Sequence, residues 1–480
     1  MKMKIKKNFY DKGDITPALL LITSAFIIVI YGLLFALGLQ VDFSNRNVGS
    51  EQALHIAEAG INYYKWHLAH DPADFSDGTG QEGGTYTHDF TDPQGAQTGK
   101  YSLQITPPEN GSSIVTIRST GWSNQFPNIK RTIKAQYGVP SMSRFSFLSN
   151  ASSWYGSGIT VNGEVHSNNG IRMDGNNTSV VSSFLPTYIC GSETGCYDHA
   201  SCHSPCTWSS QSGGTCRCPG VWGAGGDSGL WQFPSTYFDF DNISFDYTSM
   251  QTSAGNDGLE LPPSNARGYH LLFLSNGTLR VNKVLNTSYI NGYSVAAGCT
   301  RLYQTITSET FYGSYNVSDV PIIFAEDDLW VEGTVRGRTT VAAVRFPLQT
   351  STTYIWIPNS ISYTTYNGSD VLGLIAQTDI YFTKGIPNNF KVDAVLMAQK
   401  GTIIRHGYFD WCGGNSGAVK NSLTINGSII SFNKSYWNFG TGPTSGFVTR
   451  QINYDTNVLY APPPFFPTSG QYEFISWSEE

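Results

Sequence analysis

The residues best suited to chemistry are a pair of carboxylates and the groups that follow them. Asp327 and Asp328 are adjacent, with Arg336, Arg338, Arg405, His406 and Asp410 further along the chain. Two carboxyl groups about 5–9.5 Å apart across a groove can act as general acid and base on a glycosidic bond. Neighbouring strand residues point to opposite faces, however, so these two converge only if a bulge intervenes. His166 stands alone among Ser and Asn and reads as a turn hydrogen-bonder. No nucleophile elbow, HExxH, phosphate loop or dinucleotide fingerprint occurs. The acidic pair therefore reads as a solvated turn. No catalytic residue, metal site or cofactor is assigned, and the chain is expected not to be an enzyme.

A second set is thiol chemistry. Cys190, Cys196, Cys202, Cys206, Cys216 and Cys218 fall within 29 residues, in a segment rich in Gly, Ser and Thr. Outside a membrane, such a cluster implies disulfides that staple a segment with too little core of its own. Zinc is the rival reading, because His199 and His203 lie among the thiols, but no C-x2-C pair occurs. Six cysteines allow 15 connectivities, so the pairing stays open. Cys299 and Cys412 remain, and could bridge two loops. Aromatic groups at Trp222, Trp231, Phe233, Tyr237 and Phe238, and at Tyr354 and Trp356, suit either core packing or stacking on a sugar.

The elements that would carry these residues begin with composition. Charged residues are 14%, aromatics 14%, hydrophobics 40%, and Gly is 50 of 480. That profile suits a β-rich, turn-rich chain with a real core. Net charge is −7, with five lysines and two aspartates in the first 14 residues, leaving an acidic body. No basic stripe exists to serve nucleic acid, which is set aside as a partner.

Between Asp14 and Asp42 lie 27 uncharged residues. As a helix they span about 40 Å, enough for a hydrocarbon core of about 30 Å. Lys2, Lys4, Lys6, Lys7 and Lys12 precede them, so the positive-inside rule keeps 1–14 cytoplasmic and everything after residue 41 outside. A cleaved secretory signal fits less well, because no A-x-A site precedes Asp42. The expected location is the cell envelope, with an extracytoplasmic body. The helical pattern then continues: Leu54, Ala57, Ile61, Tyr64 and Leu68 form one face, joined by Glu58, until Asp71-Pro72 stops it.

The basic leader ending in Gly13, the apolar helix and the run Ala-Glu-Ala-Gly-Ile at 57–61 resemble type IV pilin-like proteins, most closely the PilX-type minor pilin-like group. The resemblance implies cleavage after Gly13 by a prepilin peptidase, a mature chain starting at Asp14, and assembly through the helix carrying Leu54–Leu68 with other pilin-like subunits. Here Ala18 occupies the place of the usual acidic residue, and Asp14 that of the usual Phe or Met. The segments 101–106, 114–121 and 129–138 resemble the small sheet packed on such a helix. Gly-Glu-Val-His-Ser-Asn-Asn-Gly at 163–170 and the Pro-rich ending at 458–468 resemble parts of ectodomains attached to such N-termini.

The body repeats itself. The octet at 160–167 recurs in outline at 330–337 and 424–431, and a second pattern occurs at 322–331, 374–382 and 396–404. The last two copies start 22 residues apart, which suggests stacked coils of a β-solenoid, inward apolar and outward polar. The interval of 52 from 322 to 374 then calls for a loop inserted in the stack. A β-sandwich is the alternative. The resulting fold class is mainly β: a transmembrane and amphipathic helix with a small pilin-like α+β sheet, then a right-handed β-helix-like solenoid. Expected segments are a leader 1–14, a transmembrane helix 15–41, an outer helix 42–71 and a sheet subdomain 72–139. A solenoid 140–460 follows with a Cys-rich insertion 190–229, and a strap 461–480 ends the chain.

The functional reading is a membrane-anchored extracytoplasmic structural protein, a pilus-like minor component or surface adhesin. The alternatives are a β-helix polysaccharide-active surface enzyme and an anchored carbohydrate-binding module, the latter two with a surface glycan as partner.

Overall fold

A computed structural model describes residues 15–108, 113–210, 214–240, 246–413, 417–440, 444–468 and 472–480. The chain divides into two compact units. One holds the chain through Pro107, Val115–Tyr137 and Phe474–Glu480; the other holds Pro108–Ile114 and Gly138–Glu473.

In the first unit a single helix runs Thr16–His70, with proline in its first turn and Asp71 closing it through a 2.8 Å bond from its amide to the His67 carbonyl. Its apolar N-terminal half is uncovered: Leu21, Ile28 and Phe35 are each 71% exposed. Burial begins at Gly49 and continues through Ala53, Ile56, Ala57, Gly60, Ile61, Tyr64 and Leu68. Beneath this face lies an antiparallel sheet of Thr85–Thr91, Gln97–Thr106, Ile114–Ser123, Arg131–Gly138 and Glu473–Glu479, in that order. Alternate residues such as Val115 and Ile117 turn to the helix and are fully buried.

Small residues let the two backbones meet. A Cβ on Gly121 would stand 2.4 Å from the Ala53 carbonyl oxygen and the Ala57 amide nitrogen. The last strand was not anticipated, because 461–480 reads as a Pro-rich strap. Residues 473–479 instead pair at the sheet edge, held by the Glu480 amide on the Thr132 carbonyl at 3.0 Å and by the Arg118–Glu480 ion pair at 3.0 Å.

The second unit is built from parallel strands that stack rung on rung. Ile323 pairs with Val341, Val341 with Leu374, and Leu374 with Leu396. The sequence interval of 52 is therefore not a loop in the stack. It contains an additional rung, Arg338–Ala343, whose Val-Ala-Ala core is too short to be recognised as a copy. The octet glycines mark one corner: Gly163, Gly333 and Gly427 have φ of 144°, 114° and 145°. A Cβ on Gly333 or Gly427 would strike the Phe273 or Ala394 carbonyl oxygen at 2.1 or 2.0 Å.

Chain order and stacking order differ. Strand Val419–Ser431 pairs with Asn389–Ala398 on one side; on the other, Gly446–Asn453 and Phe147–Ser149 lie against its two halves. Gly446–Asn453 pairs in turn with Ile159–Asn162. The early rungs thus continue beyond the late ones, and the stack runs from 259–273 through 453, then from 147 to 232. An amide ladder crosses this seam: Asn426 donates to Asp393 at 2.6 Å, Asn453 to Asn426 at 2.8 Å and Asn162 to Asn453 at 2.9 Å.

The expected inward-apolar, outward-polar alternation fails on the central strands. Ile322–Ala325 and Val371–Ala376 are buried at every position. One outer face is covered by Tyr247, Met250 and Ala254 of helix Asp246–Asp257, with Phe240, Val458 and Phe466. A second is covered by the hairpin Thr278–Ser294/Gly298–Asn316, which lies over Trp330, Trp356 and Tyr408. Near its tip, Cys299 is bridged to Cys412, 113 residues away.

Two outcomes test this packing. Gly121→Val should lower the stability of the first unit by at least about 1–3 kcal/mol, seen as faster hydrogen exchange in strands 97–123. Replacing Cys299 and Cys412 together by Ser should cost about 2–5 kcal/mol. Limited proteolysis should then cut within 285–303 before any rung.

Candidate functional site

The acidic turn follows strand Ile322–Ala325 and precedes Leu329–Val335. Asp327 is buried; its Oδ2 accepts from the Ser264 amide at 2.8 Å and hydroxyl at 2.6 Å, and its Oδ1 from Arg345 at 2.7 Å. Asp328 is half-buried and accepts from the Tyr354 amide of the next rung at 2.9 Å. One rung further, Asp379 does the same for Thr402, accepting its amide at 2.7 Å and its hydroxyl at 2.9 Å. The Asp that precedes the Leu-Trp or Ile-Tyr step of the repeat is thus a turn clamp. The solvated turn expected from sequence is in fact desolvated. Burial pushes the Asp328 carboxyl up to about 7, against the pull of the Tyr354 amide, and the Asp327 charge adds to the rise.

The other groups of that set are dispersed. Arg405 is fully buried, donates to the Ala418 carbonyl at 2.7 Å, and lies over the Tyr408 and Phe447 rings. His406 packs on Tyr381 at 5.1 Å, and burial draws its ring down to about 4. Arg338 donates to the carbonyls of Gly368, Ala461 and Pro462, fixing the tail to a rung. Arg336 and Asp410 are exposed. His166 is buried, bonds Ser182 at 2.9 Å and meets Phe238 edge-on at 4.8 Å, so it is a packing residue rather than a surface turn.

The aromatic groups divide. Trp356 is 7% exposed beneath the hairpin, in a column with Trp330 and Tyr381. Trp222 is buried against Tyr188 and the bridged cysteines, whereas Phe233 and Tyr237 are exposed. Open ring surface that the sequence reading did not single out occurs at Trp411, 68% exposed and stacked on Phe409 at 5.2 Å. Also unanticipated is a cleft lined by Trp154, Arg172, Lys434 and Arg450. No sequence motif joins those four; only the seam between late and early rungs brings them together.

The six clustered cysteines pair as Cys190–Cys196, Cys202–Cys216 and Cys206–Cys218. They staple an antiparallel sheet of Thr187–Cys190, Thr215–Pro219 and Thr207–Ser209. The parallel rungs resume at Val221–Trp222, which pairs with Ile171 and Arg172.

On the long helix, Ala57, Ile61, Tyr64 and Leu68 are buried on the small sheet, while Leu54 and Glu58 are half-buried. Glu58 lies 3.3 Å from His55. The exposed apolar residues from Ile15 to Val48 form a separate, uncovered surface. Gly13 and Asp14 lie outside the described residues.

No protein-family model matches the chain. No curated protein matches it. Among solved structures, the competence-associated pilin ComZ from Thermus thermophilus aligns with 12% identity and a TM-score of 0.32, over 90% of this chain and 97% of that one.

The raised carboxyl gives a signed prediction. An unfolded Asp titrates at about 3.9, so between about pH 4 and the folded value of about 7 the native state holds a proton that the unfolded chain has lost. Stability should fall as pH rises through that window and level off above it. Asp328→Asn, which keeps the acceptor for the Tyr354 amide, should remove this contribution. Thermal midpoints from pH 4.5 to 8 should favour the variant increasingly up to about pH 7.

Proposed function

We propose that this chain is a membrane-anchored, extracytoplasmic structural protein, a pilus-like component of the PilX-type minor kind with a surface or adhesive role and no catalysis. One observation carries the reading. A single helix is divided into an exposed apolar half, long enough to cross a membrane, and a half packed on the chain's own sheet. Apolar surface on that scale needs a cover that the described residues do not provide. Lipid supplies it before assembly, and neighbouring pilin-like helices supply it in a filament. The five leader lysines keep the N-terminus cytoplasmic, which leaves the sheet and the rungs outside the cell membrane.

A non-catalytic role is supported by the use made of the candidate groups. Asp327, Asp328, Arg338 and Arg405 each bond backbone groups of the rungs or tail, and Asp327 also pairs with Arg345. The test is the intact mass and N-terminal sequence of the protein recovered from cell envelopes. The expected chain begins at Asp14. A chain retaining Met1 would remove the pilus reading and leave a permanent single-pass anchor.

A further inference from the structure

The seam between late and early rungs closes on two faces and stays open on the third. Phe147–Ser149 pairs with Ile429–Ser431, and Ile159–Asn162 with Arg450–Asn453. Between them, Ser153–Tyr155 is the edge of a three-stranded sheet whose other members are Ile171–Met173 and Val221–Trp222. Residues 434–438 run opposite that edge without pairing to it, and the gap is a cleft of about 870 Å³. Small-ligand sites run about 300–1,000 Å³.

The charge in this cleft is unbalanced. Arg172 is neutralised by Asp174 at 2.8 Å, which also accepts the Trp154 indole N–H at 2.8 Å. Lys434 and Arg450 are half-buried, and neither has a carboxylate within ion-pair distance among the described residues. Lys434 donates to the Glu193 backbone carbonyl, while the Glu193 carboxylate bonds the Gly191 amide at 3.2 Å. The Arg450 Nε has no partner among the described residues. Burial draws the Lys434 ammonium down to about 8, with the Glu193 charge opposing, and lowers Arg450 as well. Two desolvated cations without a directly paired carboxylate among the described residues disfavour the empty site and favour an anion. The same cleft is lined by Ser153, Ser157, Ser435 and the 37% exposed Trp154. The Ser153 hydroxyl donates to the Ala151 carbonyl, and the Ser435 hydroxyl accepts the Ile403 amide and donates to Ser431, so each keeps an acceptor lone pair for a ligand.

We propose that this cleft binds a carboxylate-bearing saccharide, with Lys434 and Arg450 holding the carboxylate and the seryl hydroxyls and the Trp154 edge meeting the ring. The proposal extends the adhesive reading, but binding by the full chain in detergent does not depend on whether the leader is cleaved, so the two fail separately. The probes are a galacturonic acid trimer, the galactose trimer of the same linkage, and a glutamate trimer, each titrated calorimetrically. The uronic trimer should bind at least tenfold more tightly than either of the others, and K434Q and R450Q should each weaken it at least tenfold.

Equal affinity for the neutral trimer, equal affinity for the peptide, or no uronate binding at millimolar concentration would each overturn the proposal. Acylation footprinting of the unmutated chain gives a second readout if the variants misfold. The uronic trimer should protect Lys434 and the neutral trimer should not; equal labelling in both would also overturn it.

Discussion

Strands that are apolar on both faces have to be covered twice, and most of the second unit follows from that requirement. In Val371–Ala376, Leu372 and Leu374 fill the interior while Val371 and Ile375 point the other way. A parallel ladder supplies backbone partners along its edges and interior contacts on one side only. Leaving a Val, Leu or Ile exposed forgoes about 1.5–3 kcal/mol per side chain. The outer faces therefore recruit chain from elsewhere. One receives the helix Asp246–Asp257 together with the tail at 458–466, and the other receives the long hairpin. The reversed stacking order fits this need, since the segment that returns from the last early rung to the first late one is also a cover.

The seam is where that arrangement is weakest in backbone terms and strongest in side-chain terms. Two faces cross it with parallel pairing, and the ladder from Asp393 through Asn426 and Asn453 to Asn162 crosses it with amide bonds. On the third face, the segment after Ser431 turns inward. Trp437 is buried against Phe382 and Phe147, and Asn438 is engaged twice by the Phe447 backbone, at 2.7 and 2.8 Å. A segment committed in this way cannot also extend a rung beside Ser153–Tyr155. The open cleft is thus a consequence of how the two ends of the stack are joined.

What was legible in the sequence was local. The uncharged run at 15–41 and the stripe from Leu54 to Leu68 are set by composition and a period of 3.6, and both lie on the helix as expected. The repeat copies at 322, 374 and 396 fall on aligned rungs because recurring residues occupy equivalent positions. The rung Arg338–Ala343 carries no legible copy because small residues there replace the bulky ones that mark it. The acidic pair reads as solvated from its neighbours, yet its burial depends on Ser264 and Tyr354, residues 63 and 26 positions away. The fifth strand at 473–479 and the cleft rest on partners still more distant, and no local pattern announces them.

The hairpin shows why the covers need fastening of their own. Two strands on their own are marginal in water, and the outer surface of this pair carries exposed Tyr289, Tyr303 and Phe311, which add nothing to its attachment. At its base, His270 lies between Glu309 at 2.8 Å and Glu332 at 3.0 Å, tying the hairpin to a rung. Burial alone would pull the His270 ring down, but the two carboxylates outweigh it and the ring is raised above its ordinary value. Midway, the Trp330 indole donates to the Gln304 carbonyl at 2.8 Å, and Gln304 accepts the Lys384 amide at 2.7 Å. Near the tip, Tyr293 and Gly407 exchange backbone bonds beside the Cys299–Cys412 bridge. Stacked rungs derive their stability from nearest neighbours, so a cover that spans several rungs adds coupling that the ladder itself lacks. Fastened ionically at one end and covalently at the other, the hairpin holds Trp330 and Trp356 buried, with Tyr381 partly buried at the end of the column.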